Sequence, residues 1–264
     1  MFIWERYSAN TFFLKRRVID MEQFAEFAYL YDELNVNYDK EKIANRIRQL
    51  ICPCREAVDL CCGTGDVAIL LSKCGIKVIG IDISEDMLNV ATEKAMNNAA
   101  RVLFVCADAK NFQVPANVDA VYSLADGMNY MLGEDELQKA FCSVNKALKC
   151  GGLFVFDLST QSKYENLLDG KTFTFDFDDA FAVWQNDYNK KTHICQMDVT
   201  CFIKKGKNAY KRFDETHFQY CFSMETIKQM LENTGFELKS IYSGYDDKPF
   251  DENDERALIV AVKK

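Results

Sequence analysis

Between residues 57 and 157 the chain alternates between short apolar runs and segments with helical spacing of apolar residues. The runs that predict strands are residues 57–60, 76–81, 102–106, 118–122 and 153–156. Helical patterns cover residues 40–51, 66–74 and 134–149, and Ser84 can cap a further helix. Strands that alternate with helices pair in parallel and carry helices on both faces. The runs are apolar throughout, as expected of strands buried on both faces. The chain is therefore predicted to form a doubly wound, Rossmann-like α/β sheet.

The pattern changes after Thr160, where alternation with a period of two begins. Phe173 and Phe175, for example, alternate with polar residues. Residues 161–222 are therefore predicted to form an inserted antiparallel sheet on the substrate side. A helix over residues 224–233 and strands over residues 236–245 and 256–262 follow. The expected units are an N-terminal arm (1–20), a main domain (21–160 and 223–264) and the insertion (161–222).

Composition and charge exclude several classes of protein. Hydrophobic residues are 48% and charged residues 27%, a balance typical of a globular chain with a core. No apolar stretch approaches the roughly 18 residues of a membrane-spanning helix, so we expect no membrane partner. The formal net charge of −8 disfavours binding to a phosphate backbone, so no nucleic-acid partner is expected.

The 11 cysteines are an odd number, and their spacing does not match a zinc ribbon. Those nearest the glycine-rich turn, Cys52, Cys54, Cys61 and Cys62, flank a predicted core strand, where cysteine serves as a small hydrophobic residue. We therefore predict reduced thiols, a cytoplasmic location and no metal site.

The sequence Asp59-Leu-Cys-Cys-Gly63-Thr-Gly65-Asp66 places a glycine-rich turn between a strand and a helix. Glycine lets the backbone approach a ligand, and the helix N-terminus offers free N–H groups. Asp82 and Asp108 end the next two strands, so three carboxylates are expected at one edge of the sheet. Together with the turn they predict a nucleotide site, with Asp82 on the ribose hydroxyls and Asp108 beside the adenine.

Two nucleotide ligands are compatible with the turn. Residues Gly63 to Ala68 fit the dinucleotide pattern G-x-G-x-x-A, so an NAD-dependent oxidoreductase is one hypothesis. Asp59 favours the other ligand, S-adenosylmethionine, because a carboxylate suits its ammonium and sulfonium groups and would repel a pyrophosphate. A non-catalytic S-adenosylmethionine-binding module is the third hypothesis.

The chain resembles the class I S-adenosylmethionine-dependent methyltransferases, in the small-molecule type with a sheet inserted after the fifth strand. The resemblance covers about residues 24–160 and 223–264. The segments that carry it are Asp59–Gly65, Val78–Asp82 with Met87, Cys106–Ala109, Val118–Tyr122, Gly151–Asp157, the Tyr31-Asp32 pair with Tyr38, and Glu215–Gln219. Sugar-amine N-methyltransferases and glycine N-methyltransferase-like enzymes are examples of this type. The resemblance implies a seven-stranded sheet whose last strand is antiparallel. One departure is Cys61, where the family usually has glycine.

The resemblance also implies which residues bind the cofactor. Gly63, Gly65 and the backbone of Cys61 would line its methionine end, with Asp59 and Ala125 beside its amine. Asp82 would bind the ribose. The adenine would contact Ile83, Met87, Asp108 and Ala109.

Methyl transfer depends on alignment of the acceptor, the methyl group and the sulfur, and needs a base only if the acceptor is protonated. Tyr31 is the candidate for aligning the methyl group or capping the site, and His217 is the candidate for a general base. The alternatives are a core aromatic residue on a helix for Tyr31 and a hydrogen-bonded histidine in the sheet for His217. Asp126, Asn129 and Tyr130, which follow the fourth strand, are the candidates for acceptor binding. The Asn-Pro-Pro-Tyr type of sequence, expected of nucleic-acid amino methyltransferases, does not follow the fourth strand. The expected partner is therefore a small-molecule methyl acceptor, with an amine favoured by the resemblance, and the expected assembly is a monomer or a homodimer.

Overall fold

The computed structural model describes residues 28, 30–32, 34, 38–206 and 209–264. The predicted N-terminal arm, residues 1–20, lies outside the described residues. Residues 28, 30–32 and 34 are helical, and we call them the N-terminal segment.

Seven strands form the main sheet. They are β1 (Glu56–Leu60), β2 (Lys77–Asp82), β3 (Val102–Cys106), β4 (Val118–Ser123), β5 (Leu148–Ser159), β10 (Phe236–Ser243) and β11 (Arg256–Lys263). Their order is β10-β11-β5-β4-β1-β2-β3. The pairs among β1 to β5 are parallel, whereas β11 runs antiparallel to both β5 and β10. This confirms the predicted doubly wound sheet of seven strands with an antiparallel last strand.

Five helices cover the two faces of this sheet. They are α1 (Lys40–Ile51), α2 (Asp66–Lys73), α3 (Glu85–Asn97), α4 (Glu134–Ala147) and α5 (Met224–Asn233). One buried cluster packs Phe141 of α4 and Ile227 of α5 on Phe154 and Phe156 of β5. A second packs Ile47 of α1 and Leu71 of α2 on the opposite face. Ser84 caps α3 as predicted, because its side chain accepts a hydrogen bond from the N–H of Met87.

Two strands differ from their sequence predictions. In β5, Leu148 already pairs with Val118 of β4, and residues 149–152 bulge out before the register resumes at Leu153. The helix predicted to reach residue 149 therefore ends at Ala147. In β3, the prediction of burial on both faces was wrong. β3 is the edge of the main sheet and pairs only with β2 in the described chain, which leaves Leu103 55% exposed.

The inserted sheet is antiparallel, as predicted, and it is a meander of four strands. Its strands are β6 (Thr172–Asp176), β7 (Ala180–Asn189), β8 (Ile194–Lys204) and β9 (Tyr210–Tyr220), and a short π-helix, Lys163–Leu168, precedes them. One face of this sheet packs against Leu30 and Leu34 of the N-terminal segment and against Met87 of α3. The insertion therefore stands over the edge of the main sheet where the glycine-rich turn lies.

The 11 cysteines are all free thiols. Among the described residues no helix has the length and apolar character needed to cross a membrane, and no group of His, Cys, Asp or Glu is arranged to hold a metal ion.

Candidate active site

The glycine-rich turn connects β1 to α2 through three left-handed residues. Cys61, Gly63 and Gly65 have φ angles of 59°, 52° and 76°. The N–H of Gly63 donates to Asp82 Oδ2 over 2.8 Å. This bond fixes the turn against the end of β2, so the loop backbone and the Asp82 carboxylate form one continuous wall.

Asp82, as part of that wall, can accept further hydrogen bonds. Its Oδ1 accepts from the N–H of Ser84 over 2.9 Å. A carboxylate offers about four lone-pair sites, so the two N–H bonds leave acceptor positions for a ligand. Burial raises the pKa of Asp82 although the backbone hydrogen bonds oppose that shift. A ligand that donates hydrogen bonds there favours the ionised form.

Gly65 has a packing role in this structure. A Cβ at this position would lie 2.8 Å from Cζ of Phe104 and 3.0 Å from Cβ of Ala91. Glycine therefore lets the start of α2 approach β3 and α3. Gly65 does not line the cavity described next, so the close approach of the backbone serves the fold at this position.

A cavity of about 420 Å³ lies in front of the turn and β2, and we call it the glycine-loop cavity. It brings together the predicted site residues Tyr31, Cys61, Gly63, Asp82, Ile83, Met87, Asp108, Ala109, Ala125, Tyr130 and His217. The side chain of Ile83 is 69% exposed and forms an apolar lip. Polar strand ends facing an apolar lip suit a nucleoside, whose sugar is polar and whose base is flat.

Asp59 lies behind the turn, in a small pocket shared with Tyr31, Gly63 and Ala125. Its side chain is buried, and this burial raises its pKa well above the ordinary value. A buried carboxylate needs a counter-charge to remain ionised. The position therefore suits a cationic group of a ligand, as the sequence predicted for an ammonium.

The loop after β4 is held by Asp157 at the end of β5. Ala125 and Asp126 both have left-handed backbones, with φ angles of 54° and 67°. Asp157 Oδ2 accepts from the N–H of Ala125 over 3.0 Å, and Oδ1 accepts from the N–H of Asp126 over 2.9 Å. Arg256 Nη1 donates to Asp157 Oδ2 over 2.6 Å, and the hydroxyl of Tyr245 makes a short contact with the same oxygen. Asp157 thus sets a strained turn that borders the glycine-loop cavity.

Sequence reasoning missed this network. Asp157 did carry a signal, because like Asp82 and Asp108 it is an acid at a strand end. Arg256 lies 99 residues later in the chain, and nothing in the local pattern marks it.

The candidates for acceptor binding have three different placements. The carboxylate of Asp126 is already paired with Arg256 over 2.5 Å and with Lys163 over 3.0 Å. Burial opposes its ionisation, but these two cations hold its pKa below the ordinary value. Asn129 is fully buried, donates to the carbonyl of Tyr220 over 3.0 Å and accepts from the N–H of Ser159 over 2.9 Å. It therefore joins β9 to β5 and does not line the glycine-loop cavity, whereas Tyr130 does.

A second cavity, of about 860 Å³, lies between the main sheet and the inserted sheet, and we call it the sheet cavity. Its aromatic walls include Phe173, Phe175 and Trp184. Trp184 Nε1 and Asn186 Oδ1 are buried polar atoms on β7 without a hydrogen-bond partner in the described chain. Unsatisfied buried polar atoms are uncommon and destabilising, so these two atoms leave a hydrogen-bond donor and an acceptor available at the cavity wall.

His217 lies on β9, where its ring faces the glycine-loop cavity. His217 Nε2 is 3.1 Å from Oε2 of Glu215, a buried carboxylate on the same face of the strand. The His217 ring also packs edge-on against Tyr130, with ring centroids 6.1 Å apart. A carboxylate that contacts one ring nitrogen can orient the imidazole, as in sites where histidine acts as a general base.

Among the described residues, Tyr31 is one of two, with Ala125, that line all three cavities. It lines the glycine-loop cavity, the sheet cavity and the pocket of Asp59. Burial, together with the nearby carboxylates Asp126, Asp82 and Asp32, raises the pKa of its hydroxyl. The hydroxyl therefore stays protonated at neutral pH and can act as a hydrogen-bond donor.

The residues present fit S-adenosylmethionine. The buried carboxylate of Asp59 needs a cation, Asp82 retains acceptor positions, and Ile83 and Met87 supply apolar surface. Asp59, Asp82 and the pair Ile83 and Met87 would hold the ammonium, the ribose and the adenine, respectively.

Comparison with known proteins agrees with this fit. Residues 57–152 match a family model described as a methyltransferase domain. A putative methyltransferase, YqeM of Bacillus subtilis, is 31% identical over 238 residues, which cover 90% of this chain and 96% of that protein. An S-adenosylmethionine-dependent methyltransferase from Clostridium acetobutylicum superposes with a TM-score of 0.83 at 26% identity, covering 91% of this chain and 98% of that one. S-adenosylmethionine-bound CalS10 from Micromonospora echinaspora, an amino pentose methyltransferase, superposes with a TM-score of 0.66 at 18% identity, covering 95% and 99% of the two chains.

Proposed function

Because the chain belongs to the class I S-adenosylmethionine-dependent methyltransferases, we propose that it methylates a small-molecule amine held in the sheet cavity. Family membership also decides between the two nucleotide ligands that the sequence left open, in favour of S-adenosylmethionine. This cofactor supplies an electrophilic methyl group when it is bound. The chain has to orient the acceptor, exclude water and, for a protonated amine, remove a proton.

The observation that carries the proposal is the shared wall of the two cavities. Tyr31, Ala125 and Tyr130 line both the glycine-loop cavity and the sheet cavity. An acceptor in the sheet cavity would meet the methyl group where these residues lie. Small-molecule sites typically enclose about 300–1,000 Å³, and the sheet cavity, at about 860 Å³, falls in that range.

Charge favours an amine over a phenol or a thiol. The sheet cavity is lined by five acidic residues and three basic ones, namely Asp39, Asp126, Asp246, Asp254 and Glu255 against Lys42, Lys163 and Arg256. Each of these cations contacts a carboxylate within 3.0 Å. The excess of negative charge attracts a cationic acceptor. An amino pentose methyltransferase shares this fold, which agrees with the assignment by analogy only.

Two groups are suited to handle the acceptor. His217, oriented by Glu215, lines the glycine-loop cavity and packs against Tyr130, which lines both cavities. It is therefore the proposed base that takes a proton from the ammonium form of the acceptor where the two cavities meet. The Tyr31 hydroxyl is the proposed donor that aligns the acceptor or the methyl group. Trp184 Nε1 and Asn186 Oδ1 offer a donor and an acceptor of hydrogen bonds to the body of the substrate.

The test is a panel of amines, phenols, hydroquinones and thiols, assayed for S-adenosylhomocysteine formation. Turnover of amines alone, or at least tenfold faster than of the other classes, is the expected result. Turnover restricted to phenols, hydroquinones or thiols would overturn the amine assignment and leave the cofactor assignment in place. An Asp82→Ala control should remove the signal and so exclude a contaminating enzyme.

A further inference from the structure

We propose that Asp32 is a positioning residue that holds Tyr31 against the glycine-rich turn and thereby sets cofactor affinity. The inference uses the site of the proposed function, but it does not depend on the identity of the acceptor. It concerns a contact that neither the motifs nor the comparisons assign.

Two successive residues of the N-terminal segment face two successive residues of the turn. Asp32 Oδ1 accepts a hydrogen bond from the hydroxyl of Thr64 over 2.6 Å. The neighbouring Tyr31 lies over Gly63, since its Cε1 would be 3.9 Å from a Cβ at that position. The Asp32–Thr64 bond therefore fixes the place where the Tyr31 ring meets the turn.

Lys94 of α3 completes the anchor. Its Nζ donates to Asp32 Oδ2 over 2.6 Å and to Thr64 Oγ1 over 3.1 Å, and it also contacts Asp66. Lys40 of α1 pairs with Asp66 over 2.5 Å. Two lysines thus balance two carboxylates, and the cluster joins the N-terminal segment, the turn, α1 and α3.

In this arrangement the hydrogen bonds of the Asp32 carboxylate go to other residues of the protein and not to the ligand. Its two carboxylate oxygens are bonded to Thr64 and Lys94, which are both partly or fully buried. Charge-assisted hydrogen bonds in such surroundings are stronger than neutral ones. Asp32 is therefore suited to order the Tyr31 wall before the cofactor enters, which reduces the ordering penalty of binding.

The test is a double-mutant cycle on binding of S-adenosylhomocysteine, measured by titration calorimetry. This ligand needs no acceptor, so the result is independent of the amine proposal. Asp32→Ala should weaken binding about tenfold in the wild-type background. In a Tyr31→Ala background the same change should weaken it less than threefold, because the wall that Asp32 holds is already gone. Equal losses in the two backgrounds, or no loss in the wild type, would overturn the proposal.

Two conservative variants keep the test usable if Asp32→Ala folds poorly. Thr64→Val removes the hydroxyl from a buried side chain of the same shape and should reproduce the loss. Asp32→Asn retains an acceptor for Thr64 but loses the charge that faces Lys94, so its affinity should be intermediate. The matched control is Lys149→Met, which breaks a 2.6 Å pair with Asp119 at the opposite end of the sheet. This control should bind like the wild type, and a comparable loss in it would indicate a general effect of stability.

Discussion

Cβ of Cys61 occupies the space that a side chain at Gly127 would need. A Cβ at Gly127 would lie 2.8 Å from Cys61 Cβ and 2.7 Å from Ser123 Oγ. Cys61 itself adopts a φ of 59°, which explains why glycine would be favoured at its position. The departure from the family pattern at Cys61 is thus accommodated by a glycine in the loop after β4, and both residues line the glycine-loop cavity.

We expect Gly127→Ala to destabilise the protein by about 1–3 kcal/mol, as overpacking of a close contact does. Adding Cys61→Gly should restore part of that loss, because it removes the clash with Cys61 Cβ and a strained left-handed residue, whereas the clash with Ser123 Oγ remains. Thermal melts of the two single variants and the double variant measure this coupling. Additive melting temperatures would show that the two positions do not interact.

Asp82→Ala should weaken cofactor binding by about 30- to 150-fold, since hydrogen bonds to a charged group contribute about 2–3 kcal/mol. It also leaves the N–H of Gly63 without the acceptor that fixes the turn. The matched control is Asp119→Ala, because Asp119 accepts the N–H groups of Arg55 and Glu56 over 2.9 and 3.0 Å at the other end of the sheet. Calorimetry should show normal affinity for the control, and an unchanged affinity for Asp82→Ala would place the ribose elsewhere.

Asp59→Asn should make the protein more stable at neutral pH and a poorer binder of cofactor. The pKa of Asp59 in the folded protein is raised by burial, so its ionisation destabilises the fold. That destabilisation is absent below the pKa of the unfolded chain and grows as the pH rises through the raised folded value. A gain of about 1 kcal/mol would raise the melting temperature by roughly 2–4 °C.

The same variant removes the counter-charge of the cofactor ammonium, so affinity should fall about tenfold or more. The gain in melting temperature should shrink as the pH is lowered, because the wild-type carboxyl group then becomes protonated. A gain that is independent of pH would assign the effect to packing.

His217→Asn should lower kcat by about 10²–10⁴ if the imidazole is the base. The loss should become smaller at high pH, where the amine deprotonates without help. His193→Asn is the matched control. His193 is the other of the two histidines of the chain, and it is exposed in the turn between β7 and β8. If the pH profile of kcat keeps its shape in His217→Asn, His217 has only a structural role in the inserted sheet.

Tyr31→Phe should lower kcat about tenfold and leave cofactor affinity within about twofold. The variant keeps the ring that covers Gly63 but loses the hydroxyl, whose raised pKa makes it a donor throughout the neutral range. Steady-state kinetics with the acceptor found in the panel, together with calorimetry, separate the two effects. An unchanged kcat would show that the ring only packs.

The sequence was sufficient for the parts of the site that depend on neighbouring residues. A strand, a glycine turn and a helix are local features, so the positions of Gly63 and Asp82 followed from the pattern once the sheet was predicted to be parallel. Features that depend on distant partners did not follow. One example is β3, which is half-exposed because it lies at the edge of the main sheet. Another is Gly65, whose packing role depends on its close approach to Phe104.

The environment of the loop after β4 shows the same limit. Asp126 and Asn129 occupy a region where acceptor groups gather in this fold, which is why they were candidates for binding. Their partners, Arg256 and the backbone of β9, come from elements far along the chain. Residue type alone cannot distinguish a carboxylate that meets a ligand from one that is already paired.

The strand order also governs when the enzyme becomes complete during its own synthesis. β11 follows every other described element in the chain, yet it lies between β5 and β10. Until the ribosome has made β11, the β5 edge has no neighbour on that side, and the nascent sheet presents an unpaired apolar strand. Arg256 arrives with the same strand, so until then Asp157 lacks its cationic partner and Asp126 has only Lys163. Closure of the sheet and assembly of the catalytic end therefore both wait for the last strand.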